Sequence, residues 1–142
     1  MAGSAMTFEY DGSPDHFGVR ALRKVVIAWT SDDTDGTCAG TTAKISGELV
    51  KAVTDPGATA PTDDYDIVIT DEEGVDVLAA CVAAGRLANR DTANSEQAYF
   101  FVENVDASPL AMGVHPVVHD KLTISISNAG NSKVGQIILY VR

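Results

Sequence analysis

A chain of 142 residues with 45% hydrophobic content is the size of one ordinary domain around a single core. Ten Lys and Arg against twenty Asp and Glu leave a formal charge of -10, which argues against nucleic acid as a partner. No stretch reaches the roughly 20 uninterrupted apolar residues that a membrane-spanning helix requires. The opening Met1-Ala-Gly-Ser-Ala-Met-Thr-Phe-Glu-Tyr10 carries neither a basic nor an apolar signal region, so the expectation is a chain folded in the cytosol without a membrane partner.

Residues 1–18 mix Gly, Ser, Asp and Pro with isolated aromatics and are expected to form an extended N-terminal arm outside the core, with residues 19–142 as the single domain. Lys24-Val-Val-Ile-Ala-Trp-Thr30 is β-branched and aromatic and stops at the turn formers Ser31-Asp-Asp-Thr-Asp-Gly36, so it reads as a strand and a loop. Thr37 to Thr42 is expected to pair back on it as a hairpin, because Asp35-Gly36 supplies the positive φ of a tight reversal. Lys44 to Thr54 alternates well at its end, its face assignment is ambiguous, and Gly47 is a candidate bulge. The two prolines of Asp55 to Asp64 then impose a surface loop.

Tyr65, Ile67 and Ile69 share one face of a half-buried strand. The Ala-rich Val75 to Ala84 is either one short helix, ended by Gly85, or a strand with a loop. After a polar loop at 89–95, Gln97 to Val102 resumes β composition. Leu122, Ile124 and Ile126 alternate strictly, Asn128 to Ser132 turns, and Lys133 to Arg142 returns, which predicts a closing β-hairpin. About seven or eight short strands with at most one short helix indicate an all-β fold, a β-sandwich or jelly-roll-like barrel.

No residue pattern points to catalysis. Cys38 and Cys81 lack a CxxC partner or a neighbouring His, so they read as reduced structural thiols. His115 and His119 are four apart, but Pro116 and the β-like Val117-Val118 oppose a helical metal pair. Asp32-Asp-Thr-Asp-Gly36 looks like the start of a calcium loop, yet the position where a bidentate Glu belongs is Ala43. Neither a nucleophile elbow nor a phosphate-cradling glycine loop occurs. The acids between Asp63 and Asp76 read as a solvated rim. The expectation is therefore no enzyme, no cofactor and no metal.

Three stretches carry a resemblance: Val53-Thr-Asp-Pro-Gly-Ala-Thr-Ala-Pro-Thr-Asp-Asp-Tyr-Asp-Ile-Val-Ile-Thr-Asp-Glu-Glu-Gly-Val-Asp-Val-Leu78, then Asn89-Arg90, then Gly135-Gln-Ile-Ile-Leu-Tyr140. The chain resembles the small structural proteins of tailed bacteriophages over most of residues 23–142. The resemblance implies a virion protein without catalysis, of the head decoration or cement kind: β-rich, often trimeric, seated on the major capsid protein at the outer surface of the head. In such a protein the arm would dock on neighbouring subunits. The residues expected to carry that interface are Phe8, Tyr10, Phe17, Arg20 and Arg23, since aromatic and Arg side chains dominate interface energetics; otherwise these aromatics cover the domain's own open edge. The alternatives are a tail or neck component, or a carbohydrate- or receptor-binding sandwich that uses Trp29, Tyr65 or Tyr99 as a platform, with core burial preferred for Trp29.

Overall fold

Runs rich in Val, Ile and Thr, cut by Gly, Pro and Asp/Asn turns, become strands wherever one face can be buried. The computed structural model describes residues 3–10, 22–78, 87, 90, 94–100 and 115–142. They form β1 (Ala5–Tyr10), β2 (Arg23–Thr30), β3 (Cys38–Pro56), β4 (Asp66–Thr70), β5 (Glu96–Tyr99), β6 (Val117–Ser127) and β7 (Val134–Val141). All pairings are antiparallel, in the order β1-β2-β7-β3-β6-β4, with β5 also on β3. The fold is all-β, a curled antiparallel sheet that makes a half-barrel, as the composition of the strands predicts.

The 19-residue β3 organises the fold. Its first half, Cys38 to Glu48, pairs with β6 in a sheet completed by β4. Its second half, Leu49 to Pro56, lies between β7 and β5 in a sheet that continues through β2 to β1. Between the halves the strand turns its corner. Register shifts fall between Thr41 and Lys44 and between Leu49 and Lys51, either side of Gly47. Gly47 has φ +146, and a Cβ there would stand 2.5 Å from the Arg142 carbonyl oxygen, so the corner needs a residue without one. At the first shift the buried Thr42 hydroxyl accepts from Leu122 N at 2.9 Å and donates to Ala43 O, which satisfies backbone groups that the bulge displaces.

The core lies between the two sheets. Val25, Ile27, Ile137 and Leu139 of the first meet Ile67, Ile69, Leu122, Ile124 and Ile126 of the second, all buried. The strand at Tyr65–Thr70 keeps the expected faces, with Tyr65, Ile67 and Ile69 inward.

Three expectations are corrected. The first is the closing hairpin: β6 and β7 do not pair, because β3 stands between them. Their connection crosses from one sheet to the other, using left-handed Asn128, Gly130 and Ser132, and Ser31 pins it by donating to Gly130 O at 2.6 Å and accepting from Lys133 N at 2.8 Å. The second is the hairpin of Thr37–Thr42 with the preceding strand: β2 pairs with β1 and β7, and the segment from Cys38 pairs with β6. Both loops have hairpin chemistry, but the strands they join face each other across the core. The third concerns the arm: residues 5–10 form edge strand β1, with Met6 and Phe8 packed on the core. Residues 11–21 lie outside the described residues. In the segment expected as a short helix or a strand with a loop, Asp76 bridges to Thr70 and Val77 N donates to Ile69 O, so its start extends alongside β4. Residues 79–86 are outside the described set.

Candidate functional site

The register gives the first sheet's outer face directly, because residues paired across antiparallel strands share a face. One row reads Lys24, Tyr140, Lys51, Tyr99; the next reads Glu9, Val26, Ile138, Val53, Gln97; a third reads Thr7, Ala28, Gln136, Asp55. Lys51 Nζ lies 4.7 Å from the Tyr140 ring centre and 5.4 Å from that of Tyr99, a cation over two aromatic faces. Val26, Ile138 and Val53 are only half-buried. Next to them the small side chains Ala5, Thr7, Ala28 and Thr30 leave a groove of about 450 Å³ against Pro56 and Gly57. The second sheet's outer face carries Thr41, Lys44, Ser46, His119, Lys121, Thr123 and Ser125 and is mostly polar, its apolar residues being Ala39, Ala43, Val68 and Val117.

At the corner of β3 a cleft of about 240 Å³ opens between the start of β2 and residues 43–46. Here the structure brings together two of the residues singled out from the sequence, Tyr10 and Arg23, with Phe8 nearby on the core side. Phe8 packs toward Gly40, the Tyr10 hydroxyl accepts from Ala43 N at 2.6 Å, and Arg23 Nη2 donates to Ser46 O at 2.9 Å. Tyr10 and Arg23 cover the edge of β3 that β7 leaves when the strand bends, while Phe8 packs inward against the core. Lys24 and Lys44, both exposed, join Arg23 at the cleft walls. Phe17 and Arg20 lie outside the described residues.

At the other end of β2 three loops converge. The Asp32–Gly36 loop is folded by its own carboxylates: Asp32 Oδ1 accepts from Thr34 N at 2.8 Å and Asp35 Oδ1 from Thr37 N at 3.0 Å. The Thr37 hydroxyl, then the Thr37 amide, hold Asp35 below the usual carboxylate range. Gly36 abuts Gly130, and Thr62 N donates to Ala129 O, so the loops of residues 57–64 and 128–133 lie against it. The Asp32 and Asp35 carboxylates thus act as turn formers within the loop.

No group of three or more His, Cys, Asp or Glu is placed to hold a metal among the described residues. His115 Nδ1 meets Phe100 O and His119 Nδ1 meets the Ser46 hydroxyl, each at 2.7 Å, so the two rings serve different partners. Cys38 is buried, and burial pushes its thiol up, away from a nucleophile's range; Cys81 is outside the described residues. Trp29 and Tyr65 are buried against each other with ring centres 5.6 Å apart, as core burial of Trp29 predicts, so of the three platform rings only Tyr99 faces outward.

The Lys–Tyr row and the cation-lined cleft are absent from the sequence reading. A local signal exists for the row: Gln136-Ile-Ile-Leu-Tyr140 is apolar on both faces of its strand, the pattern of a strand covered on both sides. The cleft has none, since topology alone joins Lys24 to Lys44. No protein-family model matches the chain, and no match to it was found among curated proteins.

Proposed function

We propose that this protein is a virion structural component, a capsid decoration (cement) protein that binds the major capsid protein on the outer surface of a phage head as a homotrimer. The observation that carries the reading is the first sheet's outer face: a row of half-buried Val26, Ile138 and Val53 beside outward-facing Tyr99. Apolar side chains on the outside of a small acidic domain mark a contact surface more than a solvated one. A cement works by adding interface, about 1,200–2,000 Å² for a standard specific contact, which must be broken before packaged DNA can burst the shell. The charge of -10 suits the outside of the shell, away from the DNA phosphates. The resemblance to phage structural proteins points the same way.

The test is co-sedimentation of the purified protein with expanded heads of the encoding phage from which it has been stripped, followed by electron microscopy. Saturable binding at capsomer junctions, lost in the Val53→Thr/Ile138→Thr variant while it keeps the β circular-dichroism spectrum and a cooperative unfolding transition, is the expected result. Binding confined to tails would establish the tail or neck alternative in its place. Wild-type binding by the variant would remove the face from the interface.

A further inference from the structure

We propose that the cleft at the β3 corner receives the Asp32–Gly36 loop of a second copy of this chain, so that copies join head to tail. The cleft walls carry Arg23, Lys24 and Lys44, its floor is Val25 and Ile45, and none of its lining residues among the described ones is acidic. In a chain with twice as many acids as bases, three cations around about 240 Å³ are a concentrated positive site. Arg23 spends one nitrogen on Ser46 O, which fixes the guanidinium at the rim and leaves further donors for a carboxylate. Tyr10 is anchored beside it by Ala43 N.

The complementary surface is on the same molecule and out of its own reach. Asp32, Asp33 and Asp35 fall within four residues directly after β2, whereas Arg23 and Lys24 begin that strand. β2 is eight residues long, which at ~3.3 Å per residue separates the two sites by roughly 25 Å. They can meet only between molecules. The loop is already ordered by its Asx turns, so docking costs little conformational entropy. A contact between two different patches is heterologous, and it forms a ring where the rotation from copy to copy closes. This inference does not depend on the virion reading, since it concerns the purified chain alone.

Light scattering on size-exclusion fractions tests it. The wild type is expected to run as a closed oligomer at low salt and to shift toward the 14.9 kDa monomer at high salt. Lys24→Glu/Lys44→Glu and Asp33→Lys/Asp35→Lys are each expected to be monomeric at low salt, with association weakened by more than about tenfold and the β circular-dichroism spectrum retained. The chain carrying all four substitutions is expected to reassemble, because both partners of the contact are then reversed. A wild type that is monomeric at every salt and concentration overturns the proposal. So does either double variant at wild-type mass, or a folded four-fold variant that stays monomeric.

Discussion

The two sheets are alike inside and opposite outside. Inward, both present fully buried aliphatic rows, Ile27 and Ile137 on one side and Ile69 and Ile124 on the other. Outward, the first shows Val26, Ile138, Val53 and the Lys–Tyr row, while the second shows Thr41, Ser46, Thr123 and Ser125. Since β3 contributes to both, the difference belongs to the halves of one strand. Inner faces are held to one composition by the shared core. Outer faces carry no such constraint, so an apolar one calls for a reason beyond folding.

The sameness of the interiors is the part most easily broken. Ile137→Ala and Ile124→Ala each remove a fully buried side chain, one from each sheet, and each is expected to cost about 2–5 kcal/mol. In urea unfolding followed by Trp29 fluorescence and by circular dichroism, both variants should keep a single coincident transition at a lower midpoint. A second transition in Ile124→Ala alone would show that the β3-β6-β4 sheet melts separately, and the two halves of β3 would then belong to different cooperative units.

Gly47 tests the corner that separates the faces. Its φ of +146 lies where side chains are strained, and the Arg142 carbonyl occupies the space a Cβ needs. Gly47→Ala is therefore expected to destabilise by about 1–3 kcal/mol. By contrast Gly74, also at positive φ but with open space around a Cβ, should tolerate Asn at a cost of no more than about 1 kcal/mol. Equal losses at both positions would mean that backbone conformation alone sets the cost and that crowding at the corner adds nothing.

What was legible in the sequence follows the same division. Alternation in Tyr65 to Thr70 and in Leu122 to Ser127 assigns faces correctly, because burial acts on side chains and side chains are what a sequence records. Pairing partners are less legible, because ladders are made by backbone groups that every residue shares. Ser127 to Val134 has every local feature of a hairpin, and only the insertion of β3 between its arms prevents one. β1 carries a period-2 signal, Met6, Phe8 and Tyr10 alternating with Thr7 and Glu9, but the Gly/Ser/Asp-rich residues around it hide that signal. The contact surfaces were less legible still. Tyr10 and Arg23 stood out as residue types, but their positions on Ala43 and Ser46 depend on a corner that local patterning does not encode.

The smallest effect is expected where the two interiors meet. Tyr65 leads into β4 of the second sheet and packs on Trp29 of the first, and its buried hydroxyl has no hydrogen-bond partner among the described residues. Burial raises the phenol above its ordinary 10.0; the nearby Thr54 hydroxyl favours the ionised form, but its oxygen too lacks a hydrogen-bond partner. A raised pKa means that the folded state keeps a proton the unfolded chain has released, so the associated stability is complete below pH 10 and falls as pH climbs from there through the folded pKa. Tyr65→Phe keeps the ring and removes the unsatisfied oxygen. At neutral pH it is expected to leave stability unchanged or raise it by up to about 1 kcal/mol, and above pH 10 it should flatten the alkaline loss seen in the wild type. A neutral-pH loss larger than that of a surface substitution would show that the hydroxyl is satisfied in solution, and the seam between the sheets would then be polar where the packing makes it apolar.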